Sequence, residues 1–319
     1  MMNARVAEVG PQRDLVGYGR FKPRVRWPQD AALVINLCIA YEEGGERSVL
    51  YGDERGESLG PGYPMESGRR DLAVESIYEY GSRAGIWRLA ELFDEHDIPV
   101  TLFAPALALE QNPEVCDWVV ERGHDICCHG WRWIEPWLLT EDEEREQIRW
   151  AVESIRRSVG RPPSGWRSRT GPSIHTRRLL VEHGGFLYDS DSYNDDLPYL
   201  AEVGDRSHLV VPYTLTYTEG RLVQPVGFTS PESFWGTCIA GMEELRREGA
   251  RGFPKMMSIG IHPRHTGQAG RMTGLRTLVE RAEELGDVVF LTREAIAQHW
   301  LDQRPDLAMT ETTATGARP

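Results

Sequence analysis

Five short stretches of this chain carry side chains able to move protons or hold charge. Glu42 and Glu43 stand side by side where the apolar run Ala31–Tyr41 gives way to Gly44-Gly45. A carboxylate leaving a buried strand can serve as a general base, especially where burial raises its pKa; the plainer reading is the polar start of a solvated loop. His129, ahead of Gly130, closes the short apolar segment from Asp125 and reads as an acid/base group, a metal ligand or a satisfied structural histidine. A metal there would want a second histidine one turn on, and position 133 is tryptophan, which cannot ligate. Arg167 and Arg169 are donors suited to a carbonyl or carboxylate oxygen, or partners in ion pairs. Asp189, Asp191, Asp195 and Asp196 crowd one stretch. It lacks the glycine and terminal glutamate of a calcium loop, which leaves an orienting carboxylate or a solvated acidic loop. His262 ends the strand-like KMMSIGI and is the strongest single candidate for acid/base work, with Arg264 placed to neutralise a substrate oxygen. His96, His124, His183 and His299 fall in helical or turn contexts and read as structural.

The elements that must position these groups alternate. Strands are predicted at Ala31–Tyr41, Ile98–Phe103, Asp125–His129, Ser164–Arg167, Phe186–Asp189, Leu209–Tyr213, Met256–Ile261 and Val288–Leu291. Helices are predicted at Ser82–His96 with Ser82 as N-cap, Asn112–Arg122, Thr140–Val159 with a capping box of Thr140 and Glu143, Ile174–His183, Ser230–Gly249, Gly270–Leu285 and Arg293–Leu301. Seven or eight strand–helix units in a row imply an α/β fold, a (β/α) barrel of parallel strands whose C-terminal ends share one mouth. The candidate residues sit at those ends. Residues 1–14 and 303–319 read as flexible, leaving one catalytic domain at 15–302.

The charge sum sets limits on partners. Lysine and arginine number 36 against 49 aspartates and glutamates, a net charge of −13. That disfavours nucleic acid and anionic membranes and suits a soluble cytoplasmic enzyme. No apolar run is long enough to span a bilayer, and the first residues lack the apolar core of a secretory signal. Five cysteines, an odd number without a CxxC pair, imply buried thiols rather than a disulfide framework.

Taken together, the stretches resemble the polysaccharide-deacetylase (NodB-like) superfamily, and more closely its branch of metal-independent bacterial allantoinases and cyclic-imide hydrolases. The resemblance runs from about Asp14 to Trp300. It is carried by DLVGYGR at Asp14–Arg20, YEEGGERSVLYGD at Tyr41–Asp53, ESIYEYGSRAGIWRL at Glu75–Leu89, GGFLYDSDSYNDDLPY at Gly184–Tyr199 and RHTGQAGR at Arg264–Arg271. The superfamily's fold is a deformed (β/α) barrel. Its TFDDG motif, one Asp a base and the next a metal ligand, matches Ala40 to Gly44, so Glu42 falls at the base position and Glu43 at the ligand position. Its His-x-x-x-His pair matches His129 and Trp133, so one ligand is missing; its third-motif Arg matches Arg167 and its last-motif His matches His262. One carboxylate and one histidine are poor equipment for a catalytic metal. The resemblance therefore implies no required cofactor; zinc or another divalent ion, if bound, would use Glu43 and His129. Relatives are commonly homotetramers.

The expected reaction is hydrolysis of an amide C–N bond in a small cyclic ureide or imide, such as allantoin to allantoate. Glu42 or Glu43 would activate water, Arg167 or backbone N–H groups would hold the oxyanion, His262 would protonate the leaving nitrogen and His129 would orient water or substrate. The Gly-rich segment 44–68, with Glu79, Tyr80 and Arg83, would close over the substrate, and Trp133 would line the pocket. Two rivals remain: a metal-dependent N-deacetylase of peptidoglycan or another amino sugar, and a barrel that binds a ligand without turnover.

Overall fold

In the computed structural model the described residues are 10–20, 22–58, 66–220 and 230–303. The chain forms β1 (Leu33–Ala40), α1 (Leu72–Tyr80), α2 (Ile86–Glu95), β2 (Val100–Ala104), α3 (Ala106–Gln111), α4 (Pro113–Arg122), β3 (Asp125–Cys128), α5 (Glu141–Val159), β4 (Gly165–Trp166), α6 (Thr176–His183) and β5 (Tyr188–Asp189). It continues with β6 (Tyr199–Val203), β7 (Arg206–Val210), α7 (Pro231–Gly249), β8 (Lys255–Ile261), α8 (Ala269–Leu285) and β9 (Val288–Phe290), then a helix at 293–303. Nine strands share one sheet in the order β6-β7-β5-β4-β3-β2-β1-β8, with β9 also on β1. Eight run parallel; β6 pairs antiparallel with β7. The sheet curls into a deformed half-barrel, as the alternation of elements predicts.

β1 is apolar at every position but Asn36 because both of its faces are covered, the usual state of a central parallel strand. Leu33, Ile35, Leu37 and Ile39 pack with Ile86, Leu89, Phe93, Phe234 and Leu275 of the helical layer. Val34 and Cys38 face the barrel interior with Phe103, Cys127, Tyr188 and Tyr213. β8 occupies one edge of β1; β9 and β2 divide the other, at Leu33–Ile35 and Leu37–Ala40. Into the interior reaches Arg293, fully buried. Its guanidinium donates to Asn36 Oδ1 (3.2 Å), Ser258 Oγ (2.8 Å), Ser190 Oγ (2.9 Å) and the carbonyls of Val211 (2.7 Å) and Pro212 (2.6 Å). All five cysteines are buried free thiols, and among the described residues no helix is long and apolar enough to cross a membrane.

Several boundaries depart from the sequence reading. The helix predicted from Ser82 starts at Leu72, capped by the Asp71 carboxylate on the N–H groups of Ala73 and Val74. It passes through a π-helical turn, Gly81–Gly85, into α2. Ser82 is therefore mid-helix, and its hydroxyl meets Tyr41 and Asn112. Gly81 and Gly85 mark close packing in this turn. β6 and α3 were not foreseen, and the strand placed at Leu209–Tyr213 begins earlier, at Arg206. The capping box of Thr140 and Glu143 is present as read. Residues 1–9 and 304–319, most of the two segments read as flexible, lie outside the described residues, as do 59–65 of the Gly-rich segment.

Candidate active site

The strand ends bring Glu42, Glu43, His129, His262 and Arg264 together. Glu42 and Glu43 leave β1 buried at 2% and 3% exposure. Arg264, two residues beyond His262, reaches both: one terminal nitrogen lies 2.6 Å from Glu42 Oε2, the other 3.3 Å from Glu43 Oε1. The guanidinium also lies over the Tyr78 ring, 4.4 Å from its centroid. His262 Nε2 is 3.9 Å from Glu42 Oε2, and His129 Nε2 is 3.6 Å from Glu42 Oε1.

These neighbours divide the two carboxylates. Burial pushes Glu42 up, but its charged surroundings, the Arg264 guanidinium foremost, outweigh it and hold its pKa at about 2. Burial and the Glu42 charge outweigh Arg264 at Glu43, whose pKa lies above the ordinary glutamate value of 4.5. Glu43 Oε2 is buried with no hydrogen-bond partner among the described residues. Glu42 is thus a fixed anion, and Glu43 the more basic oxygen.

His129 is held at both ring nitrogens. Nδ1 bonds the Arg167 carbonyl, and Trp133 Nε1–H points at Nε2 from 3.0 Å. The carbonyl requires a proton on Nδ1, and the indole, nearer than Glu42, takes the lone pair of Nε2. That arrangement places the proton on Nδ1 and leaves no free nitrogen. Trp133 is fixed in turn: its main-chain N–H bonds the Gly45 carbonyl at 2.7 Å, and Arg169 stacks 3.7 Å from its ring centroid. Arg169 pairs bidentately with Glu57, at 2.6 and 3.0 Å. Of the two readings of Arg169 the ion pair is the one seen, and with its bond to the Trp133 carbonyl it ties the Gly-rich segment to the His129 loop.

Other expectations are corrected. Arg167 does not face a substrate oxygen. Its guanidinium donates to the Ser190 carbonyl (3.0 Å), Asp191 (3.3 Å) and the Tyr193 hydroxyl (2.6 Å), between the rings of Tyr193 and Tyr213. Asp191 is the orienting carboxylate of the acidic stretch; Asp189 turns away to Arg177. Glu79 and Arg83 form an exposed pair 3.7 Å apart on the outside of the helix, and Tyr80 bonds the Gly267 carbonyl and Arg88. Side chains three and four apart share a helix face, and the face turned to the site is that of Tyr78 and Gly81.

Three groups escaped the sequence reading. Glu219, 1% exposed, accepts the His262 N–H at 2.7 Å and lies 3.7 Å from its Nδ1. Glu46 is pushed up to about 7 by burial. His265 packs edge-on to His262 with centroids 5.6 Å apart, and burial, Arg264 and His262 bring its pKa down to about 2.

The π-turn glycines touch both halves of the site. A Cβ on Gly81 would fall 2.2 Å from Glu43 Oε1, and one on Gly85 would fall 2.1 Å from the Pro263 carbonyl. Alanine at either position is expected to cost about 1–3 kcal/mol of stability through overpacking. Gly85→Ala should also cut turnover by displacing Arg264. Denaturant melts with kcat on the same samples check this; an undiminished kcat for Gly85→Ala refutes the coupling.

Comparison with known proteins places this architecture. A sequence profile described as Polysaccharide deacetylase matches residues 69–186. A Schizosaccharomyces pombe protein named "Putative polysaccharide deacetylase" is 35% identical over 319 residues, covering 92% of this chain and 98% of that protein. The chain belongs to the polysaccharide deacetylase family. Among solved structures, a "probable Polysaccharide deacetylase" from Pseudomonas aeruginosa PAO1 shares 44% identity at a TM-score of 0.87, over 92% of this chain and 99% of that one. The Puue allantoinase shares 41% at a TM-score of 0.88, over 93% and 99%.

For a member of the polysaccharide deacetylase family, the donor set does not fit a catalytic metal. His129 has its Nε2 lone pair on Trp133, and both carboxylates hold Arg264. Among the described residues no group of three His, Cys, Asp or Glu could hold an ion.

Proposed function

We propose that this protein hydrolyses an amide C–N bond in a small cyclic ureide or imide, with allantoin to allantoate the leading case, and that it needs no metal. The likeness to the Puue allantoinase over nearly the whole chain supports the substrate class. The observation that carries the metal-free reading is the indole N–H of Trp133 at 3.0 Å from His129 Nε2, since it takes up the lone pair a zinc ion would require.

In this scheme Glu43 takes a proton from water as its oxygen bonds the ring carbonyl carbon. His262 then gives a proton to the ring nitrogen as the C–N bond breaks, leaving an open-chain N–H and a carboxylic acid, whose proton returns to His262 while Glu43 gives its proton to solvent. Glu42 holds Arg264 and faces His262. His129, with both nitrogens engaged, positions rather than transfers protons. With Arg167 spent on Asp191 and Tyr193, the positive charge nearest the reacting carbonyl is Arg264.

The test is turnover of allantoin, hydantoin and succinimide before and after dialysis against a chelator. Equal rates on at least one ring are expected, with no hydrolysis of N-acetylglucosamine oligomers. Activity on the acetylated sugar alone, lost on chelation, would make the protein a metal-dependent N-deacetylase instead.

A further inference from the structure

A divalent ion in this mouth would be held by Glu42 or Glu43 together with His129, and each of these already has a partner inside the chain. The Arg264 fork spans the two carboxylates at 2.6 and 3.3 Å. It is buried at 6% exposure and stacked on Tyr78. The indole of Trp133 takes His129, and its ring centroid lies 5.8 Å from the same guanidinium. We propose that Arg264 and Trp133 together fill the place of a catalytic cation, the guanidinium giving the fixed charge and the indole N–H the hold on the histidine. This rests on the cyclic-amide reading and explains how such a site works without a metal.

The chemistry of the groups supports the exchange. A guanidinium stays charged at any working pH and presents several N–H donors in one plane, so a single side chain can satisfy two acidic oxygens. Two adjacent buried carboxylates without a cation would be strongly disfavoured, so the pair must keep one. Removing Arg264 leaves the carboxylates in need of another positive partner. Replacing Trp133 by histidine restores a second imidazole and frees the lone pair of the first. Neither change alone makes a metal site: with only Trp133→His the guanidinium still repels an incoming ion, and with only Arg264 removed the indole still blocks His129.

The experiment is equilibrium dialysis of the full chain against zinc, with the metal counted per protein by mass spectrometry and folding checked by circular dichroism. Wild type, Trp133→His and Arg264→Met are expected to carry no stoichiometric zinc. The double variant Trp133→His/Arg264→Met is expected to take up one ion, binding it tighter than either single variant by roughly 10- to 100-fold. Arg264→Gln replaces Arg264→Met if the latter does not fold. Trp133→His/Arg264→Lys, which keeps a cation in place, should stay empty. Zinc bound by Trp133→His alone as tightly as by the double variant would overturn the proposal, as would a folded double variant that binds none. Failure of the cyclic-amide reading would show separately, as wild-type protein that opens none of the three rings, and leaves the zinc counts untouched.

Discussion

Glutamine at position 43 should lower kcat on the cyclic substrate by roughly 10²- to 10⁴-fold, the usual worth of a general base, in a protein that still folds. The two neighbouring carboxylates are not equivalent. Glu42 is held at about 2 by charged surroundings in which Arg264 is foremost, which makes it a poor proton acceptor. Glu43 is raised by burial above 4.5 and has one oxygen without a partner among the described residues. The pH profile tells them apart. A base must be deprotonated to work, so with Glu43 in that role kcat/KM falls as pH drops through a value above 4.5. With Glu42 as base it would stay flat to about 2, or until the protein unfolds. Glu42→Gln is also expected to be damaging, but through release of Arg264, with a raised KM and a lower melting temperature. A Glu43→Gln enzyme at half the wild-type kcat, or a flat acid limb, rules out the assignment.

Asparagine in place of His262 should bring a loss of similar size, about 10²- to 10⁴-fold, and its signature is dependence on the leaving group. Protonation matters most when the departing nitrogen is most basic. The loss should therefore be larger for a ring whose released nitrogen is a poor leaving group than for an activated imide. Glu219→Gln tests the support behind His262: the amide oxygen can still accept the main-chain N–H, while the negative charge is gone. A smaller fall in kcat is expected, with KM little changed. The same loss for every leaving group in the His262→Asn series would show that the imidazole only shapes the pocket.

The parts of this architecture legible in the sequence are those encoded locally. β1 and β8 show as mainly apolar runs because both faces of each strand are covered. The start of α5 is legible because Thr140 and Glu143 satisfy each other's backbone. Glu42, Glu43, His129, His262 and Arg264 stand out as polar residues at or just after the ends of such runs. What was missed depends on distant neighbours. Gly81 and Gly85 give no local sign of their role, because it lies in contact with Glu43 and the Pro263 carbonyl, which the local sequence does not display. Glu79 and Tyr80 lie ahead of the helix predicted from Ser82, and only its true start at Leu72 shows that the side facing the site is the one bearing Tyr78. Glu219 lies far along the chain from His262 and only the fold brings them together. Arg293 reads as the first residue of the last helix, and its burial is paid for by five acceptors on four other segments.

The division of β1 between early and late partners has a consequence for how the protein is made. The strand that delivers both glutamates emerges first from the ribosome, yet Leu33 finds its neighbours only at Lys255 and Val288. Until then one long edge of an apolar strand stays unpaired, the kind of surface that recruits other chains. Pairings this far apart in sequence close slowly. Nascent chains stalled before β8 should therefore need chaperone cover and be degraded or aggregate, and expression in a host with slowed synthesis should lower the soluble yield. The same delay means that Arg264 and His262 arrive with the last quarter of the chain, so no shortened product of translation can carry an assembled centre.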